Sequence, residues 1–327
     1  MNHAAAAPTD HATTDPATTD PATTDPATTV PSTVEPPLDP AWVARTVEIA
    51  LDEDLGPAPG RDVTTQATVP ASATGTADLV ARADGVAAGL VVVAETLGQV
   101  AARFGLPTPR AAFAAQDGDA VVRGQVLATL TGPTQVLLTA ERTLLNLASR
   151  ASGVATATRA WALALDGTGA QVLDTRKTTP GLRALDKYAV RAGGGTNKRM
   201  GLHDVAMVKD NHVVAAGSVR GAIEAVRSRF PDVLIQVEAD TQAQAMEALD
   251  AGADFLLLDN MPTAVLAGTV AAVRAREGEL GRVELEATGN LTLDRAREVA
   301  LTGVDYLSVG ALTHSAPILD LALDLRG

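Results

Sequence analysis

LIQVEADTQAQAMEALDAGADFLLLDN, residues 234–260, holds two short apolar runs, Leu234–Val237 and Phe255–Leu258, joined by a helical segment. Each run ends on polar groups: Glu238 and Asp240 after the first, Asp259 and Asn260 after the second. Short buried strands alternating with helices are the pattern of a parallel sheet. The unit recurs on both sides, at Gln171–Leu173, Val205–Val208, Val283–Leu285 and Tyr306–Val309. A closed barrel of the common kind needs eight strands. The parallel sheet could be open or closed; six runs favour an incomplete or smaller, about six-stranded parallel α/β barrel, placed over residues 151–312.

Upstream the texture changes. Thr139 to Leu165 reads as helical, with a break at Ser152-Gly153. From Thr74 to Thr131 short Val-rich runs, punctuated by Asp84-Gly85 and Asp117-Gly118-Asp119, read as β structure. The run from Asp117 to Leu127 has the shape of a lipoyl- or biotinyl-carrier hairpin. Carriers attach their cofactor to a lysine, and no lysine precedes position 177, so that function is excluded. Asp39-Pro40 reads as a helix cap and first-turn pair. Before it, a Thr-Thr-Asp-Pro-Ala repeat of period five has no apolar face to bury, and residues 1–38 are expected to be a disordered low-complexity tail.

Composition narrows the function. Hydrophobic residues make up 46 % of the 327, enough for a sizeable core, but aromatics only 2 %, too few for a base-stacking platform. A net charge of −13 repels nucleic acid and anionic membranes. The absence of cysteine removes disulfides, thiolate metal sites and a thiol nucleophile. No secretory leader or membrane-length apolar run is visible, so the expectation is a soluble cytoplasmic protein.

In parallel α/β folds the carboxyl ends of the strands share one face, and that face carries the site. The polar groups after the six runs are Asp174, Arg176 and Lys177; Lys209 and Asp210; Glu238 and Asp240; Asp259 and Asn260; Glu286, Thr288, Gly289 and Asn290; and Gly310. Lysine usage sharpens the picture. The four lysines, Lys177, Lys187, Lys198 and Lys209, fall within 33 residues, and positions 176–209 hold eight cations against two anions. Such a focus attracts a small polyanion. Arg183, Lys187 and Arg191 fit a solvated helix face, whereas Lys177 and Lys209 stand at strand ends. Gly193-Gly194-Gly195-Thr196-Asn197, beside Lys198 and Arg199, reads as a phosphate cradle, though not as a Walker loop. No nucleophile elbow and no paired metal-ligand histidines occur; His203 and His212 flank Lys209, either lining the site or packing beside it. Residues alone leave open a Schiff-base aldolase using Lys209, and an anion-sensing barrel without catalysis.

At these residues the sequence resembles the quinolinate phosphoribosyltransferases. The resemblance runs from Trp42 to the C-terminus, through Glu53-Asp54-Leu55-Gly56, Ala83-Asp84-Gly85, Glu141-Arg142-Thr143, Asp174-Thr175-Arg176-Lys177-Thr178-Thr179-Pro180-Gly181, Met207-Val208-Lys209-Asp210-Asn211-His212, Val237-Glu238, Leu258-Asp259-Asn260 and Val309-Gly310-Ala311-Leu312-Thr313-His314. It implies an N-terminal α/β sandwich domain over residues 39–150, the incomplete barrel, and a C-terminal segment, 313–327, packing back on the first domain. It implies a pentosyltransferase that converts quinolinate and phosphoribosyl pyrophosphate to nicotinate mononucleotide, pyrophosphate and CO2 with Mg²⁺, in a dimer or hexamer. Carried over by position, Arg142, Arg176 and Arg199 would clamp quinolinate, with Arg142 reaching a neighbouring subunit's site. Thr175 and Lys198 would join the substrate contacts. Lys177 and Lys209 would meet phosphates, Glu238 and Asp259 the ribose and metal side, and Thr288, Gly289, Asn290 and Gly310 the 5′-phosphate. Two departures stand out: Lys198 replaces a common histidine, and Thr288 a common serine. A related protein with another acceptor, such as the homologues linked to molybdate transport, is the alternative.

Overall fold

A computed structural model describes residues 34–327. The expected tail lies outside the described residues up to position 33. Its last five positions are not free chain: Val34 and Leu38 are buried, and the Pro36 carbonyl accepts a hydrogen bond from Arg191 (2.8 Å). The packed chain thus extends ahead of Asp39.

Helix α1 (Pro40–Leu55) starts where the Asp39 carboxylate accepts from the Ala41 N–H (3.0 Å) and Pro40 fills a position that needs no donor. Val43, Val47, Leu51 and Leu55 recur every fourth residue and bury one stripe. Helix α2 (Val63–Thr68) begins at Asp62, which accepts from the N–H groups of Thr64 and Thr65. Then come β1 (Thr74–Ala81), β2 (Gly85–Val86), α3 (Val91–Phe104), β3 (Arg110–Phe113), β4 (Ala120–Val121) and β5 (Val126–Pro133). The expected continuous β texture is corrected by α3. Its buried positions, Val92, Val93, Thr96, Leu97, Val100 and Ala101, follow helical spacing, and that stripe outweighs the β preference of three successive valines. The carrier-like hairpin is also corrected. The chain turns at Val122–Gln125, but β4 pairs with β2 while β5 pairs with β1 and β3, so its two arms enter different sheets.

Helix α4 (Thr134–Leu165) runs unbroken for 32 residues through the expected break at Ser152-Gly153. Gly153 is there for packing: a Cβ would stand 2.1 Å from the Pro317 carbonyl oxygen. The barrel follows, as β6 (Gln171–Leu173), α5 (Arg183–Ala192), β7 (Val205–Val208), α6 (Asp210–Ala216), α7 (Val219–Arg229), β8 (Leu234–Ala239), α8 (Gln242–Asp250), β9 (Phe255–Asp259), α9 (Thr263–Arg274), α10 (Glu277–Leu280), β10 (Glu284–Thr288), α11 (Ala296–Ala300), β11 (Tyr306–Ser308) and α12 (Ala311–His314). Its six strands form one parallel sheet in the order β6-β11-β10-β9-β8-β7, with β6 and β7 at the open edges. The fold is α/β, an incomplete six-stranded barrel joined to a mixed sheet domain. The last strand, β12 (Leu321–Leu325), returns to that domain and pairs antiparallel with β1, from Ala77 opposite Leu325 to Ala81 opposite Leu321.

Strand alternation positions the site. Leu256, Leu258, Leu285 and Ala287 are buried in the hydrophobic core. The alternate residues face the barrel interior: Glu238, Leu257 and Glu286 lie in register across β8, β9 and β10, and Asp259 and Thr288 pair one pleat further on.

Candidate active site

The carboxyl ends of the strands open onto a cavity of about 710 Å³. Thr175, Arg176, Lys177, Lys198, Arg199, Lys209, Glu238, Asp259, Thr288, Gly289, Asn290 and Gly310 all line it. Residues separated by up to 135 positions in the chain thus meet there, carried by the ends of all six strands or the loops after them and, for Lys198 and Arg199, by the segment between α5 and β7. Arg142 does not line this cavity; it lies exposed on α4.

Two ion pairs shape the interior. Lys209 Nζ donates to Glu238 Oε2 across the ends of β7 and β8. Lys198 Nζ donates to Glu286 Oε1 at 2.6 Å, and Gln236 Nε2 donates to Glu286 Oε2 at 2.7 Å. Burial, only partly offset by Glu286, lowers the proton affinity of Lys198, and burial followed by the nearby Arg176 cation does the same for Arg199. These cations repel one another, and an anionic ligand relieves that repulsion.

At the β9 and β10 ends the backbone turns sharply. Asn260 (φ 53°), Gly289 (φ 87°) and Asn290 (φ 47°) are left-handed, and Asn290 Nδ2 donates to Asn260 Oδ1 (3.1 Å). A Cβ on Gly289 would lie 2.3 Å from that same oxygen, so glycine is required on both counts. At Gly310 a Cβ would stand 3.0 Å from Lys177 Cδ and 3.1 Å from His314 Nε2. Together these positions bring bare backbone to the cavity wall.

Several expectations are corrected. Lys187 is not on a solvated face: its side chain is 1 % exposed and pairs with Asp174, which is fully buried behind the cavity wall. Burial pushes the Asp174 carboxyl up and the Lys187 ammonium down. The glycine run is not a phosphate cradle. The N–H groups of Gly193, Gly194 and Gly195 are spent on the carbonyls of Ala189, Arg191 and Val190, and Gly193 and Gly195 pack against Thr158 of α4. His212 does not line the cavity; its Nδ1 accepts from the Lys209 N–H (3.0 Å). His203 does not line it either.

The cavity also takes in Met207, Leu257, Asn260, Glu286, Leu291, Ser308, Val309, Ala311 and His314. Asn260 and Glu286 were among the expected strand-end groups; strand parity could also have found Leu257 and Ser308, since each lies two residues from another interior position. His314 reaches the wall because α12 folds it back over Gly310.

Fold and site define an α/β-barrel enzyme whose strand-end cavity is made for polyanionic substrates. The comparisons narrow the class. Residues 62–152 match the quinolinate phosphoribosyl transferase N-terminal domain, and residues 154–324 the C-terminal domain. The nicotinate-nucleotide pyrophosphorylase [carboxylating] of Mycobacterium leprae is 49 % identical over 280 residues, covering 86 % of this chain and 96 % of that protein. A quinolinate phosphoribosyltransferase [decarboxylating] of Nicotiana glauca is 38 % identical, covering 89 % and 85 %. The solved nicotinate-nucleotide pyrophosphorylase of Francisella tularensis superposes with a TM-score of 0.79 at 31 % identity, covering 91 % of this chain and all of that one. The chain belongs to the quinolinate phosphoribosyltransferase family, in both of its domains.

Proposed function

We propose that this cavity transfers a phosphoribosyl group from phosphoribosyl pyrophosphate to quinolinate and releases CO2. The protein is a carboxylating quinolinate phosphoribosyltransferase, a pentosyltransferase of NAD biosynthesis. The observation that carries the reading is the meeting of Arg176, Lys177, Lys198, Arg199 and Lys209 with Glu238 and Asp259 in one strand-end cavity. Both substrates are polyanions, and one passes through a cationic sugar.

In this reading Arg176 and Arg199, with Thr175 and Lys198 beside them, hold quinolinate's carboxylates, for which the guanidinium fork is suited. Lys177 and Lys209 meet the phosphates. Thr288, Gly289, Asn290 and Gly310 receive the 5′-phosphate on bare backbone and a hydroxyl. The pyridine nitrogen attacks the anomeric carbon as the bond to pyrophosphate breaks. Glu238 and Asp259 face the positive charge that develops on the ribose. The quaternised ring then accepts the electron pair of the breaking carbon–carboxylate bond, CO2 leaves, and that carbon takes up a proton. No protein nucleophile is needed.

Among the described residues no three His, Cys, Asp or Glu side chains converge as a metal site. Glu238 or Asp259 would hold, through water, a Mg²⁺ brought in by the pyrophosphate, since this ion usually keeps several of its waters. When bound, it would neutralise charge on the leaving group. Arg142, exposed on its own chain, is assigned to the cavity of a neighbouring subunit in a dimer or hexamer. Among the described residues no helix is long and apolar enough to cross a membrane.

Purified protein mixed with quinolinate, phosphoribosyl pyrophosphate and Mg²⁺ is expected to yield nicotinate mononucleotide and CO2 in equal amounts. Folded protein that binds phosphoribosyl pyrophosphate yet gives neither product would overturn the acceptor assignment in favour of another acceptor.

A further inference from the structure

We propose that Glu286, held in turn by Gln236, is a positioning residue for the acceptor: it fixes the Lys198 ammonium at the floor of the cavity so that two of its three N–H donors face quinolinate. This rests on the reading of Lys198 as a substrate contact.

Glu286 stands in the middle of β10, fully buried, with both carboxylate oxygens engaged. One accepts from Lys198, the other from Gln236 on β8, across the intervening β9. Gln236 is itself fully buried, and its Oε1 has no protein partner among the described residues. An amide in such a place leaves an acceptor unmet. Its evident work is the N–H it gives to Glu286.

The lysine is fixed at its other end too. The Lys198 N–H donates to Asp174 Oδ1 (2.9 Å), and its carbonyl accepts from Lys187 Nζ (3.0 Å). The buried Asp174–Lys187 pair therefore anchors the backbone while Glu286 anchors the headgroup. A lysine stem has four rotatable bonds, and its charge lies beside Arg199 and Lys209, which repel it. Among the described residues, Glu286 is the carboxylate paired with the ammonium, and it draws it inward against that repulsion. With it, the cation is pre-organised and the pair adds no net charge to the floor. An ammonium has three donors, so one bond to Glu286 leaves two.

The test is a double-mutant cycle on the full-length protein, with KM for each substrate, kcat and melting temperature measured for Glu286→Gln, Lys198→Met and the double variant. Glu286→Gln is expected to raise the quinolinate KM about ten-fold while the phosphoribosyl pyrophosphate KM moves less than about two-fold. In the Lys198→Met background the same change should add less than about two-fold, because the interaction it acts through is gone. An unchanged quinolinate KM in folded Glu286→Gln overturns the inference, as does an equal effect in both backgrounds, which would make Glu286 a core residue only. If Lys198→Met leaves the quinolinate KM unaltered, the reading of Lys198 fails first and takes the inference with it. Should Glu286→Gln not fold, Gln236→Met releases Glu286 while keeping its charge. It is then expected to raise the quinolinate KM about three-fold, and no change would overturn the proposal.

Discussion

Thr313 donates its hydroxyl to the main-chain oxygen of Lys177, 136 positions earlier in the chain (2.9 Å). The Thr313 carbonyl accepts from Arg150 of α4, and Arg150 also grips Asp186 (3.1 Å). Asp186 accepts in turn from the Thr179 N–H (3.0 Å). The loop that presents Arg176 and Lys177 is thus tied down from the C-terminal segment and from α5 at once. Thr313→Val removes one tie. It is expected to cost about 1 kcal/mol, read as a roughly five-fold fall in kcat/KM for phosphoribosyl pyrophosphate with kcat little changed. Steady-state kinetics at saturating quinolinate would check this.

Arg176 and Arg142 are predicted to serve one site from two chains. Arg176→Ala and Arg142→Ala should each lower turnover by at least about 100-fold, since each removes a bidentate contact to a carboxylate in the acceptor site. Neither should change the melting temperature much, because Arg176 lines a cavity and Arg142 is exposed. Unfolding the two variants together and refolding them as a mixture should then restore activity, because a hybrid holds one site with both arginines intact. A mixture as inactive as its components would return Arg142 to its own chain.

The Asp174–Lys187 pair is expected to dominate stability near the cavity. Asp174, itself fully buried, accepts from Lys187 Nζ, Asn197 Nδ2 (2.7 Å) and the Lys198 N–H. Lys187→Met leaves that carboxylate buried without its counter-charge, at a cost of about 3–5 kcal/mol. Urea unfolding of the variant against the parent measures it.

Acid should loosen the return of β12 to the first domain. Arg326 donates Nε and Nη2 to the two oxygens of Asp78 (2.8 and 2.7 Å), and this fork holds the carboxyl below its ordinary 3.8. A carboxyl depressed in the folded state contributes its full stability above the unfolded value. That contribution is lost as pH falls through the folded value. The melting-temperature gap between the parent and Asp78→Asn should therefore be constant at neutral pH and close between about pH 5 and pH 2. A gap independent of pH would remove Asp78 from the acid response.

The barrel strands were legible because five of the six pair a short apolar run with a charged end, as in Phe255–Leu258 followed by Asp259. The cavity was legible because those ends share a face. What the sequence concealed depends on packing between distant elements. The three glycines after α5 look like an anion loop until Thr158 of α4 is seen against them. Lys187 sits on a helix with the charge pattern of an exposed face, and only the strand behind it supplies Asp174. The valines of α3 favour a strand locally, and helical burial against α4 decides otherwise. Glu286 was visible as one more polar residue near a strand end, but its partner Gln236 lies uncharged inside the apolar run Leu234–Val237, with no local pattern to single it out.

Helix α4 is, at 1.5 Å per residue, a rod of about 48 Å common to both halves of the molecule. The match to one domain of the family ends at residue 152 and the match to the other begins at 154, in the middle of that rod. The two family matches therefore meet inside one continuous helix, and the halves are not separable as objects. A gene cut at that point would yield two fragments, each with a bare apolar helix face and one of them missing its edge strand. Hinge bending at the boundary is likewise denied to the native enzyme. Access to the cavity therefore falls to the loops that line it, since the shared helix leaves no joint between the halves.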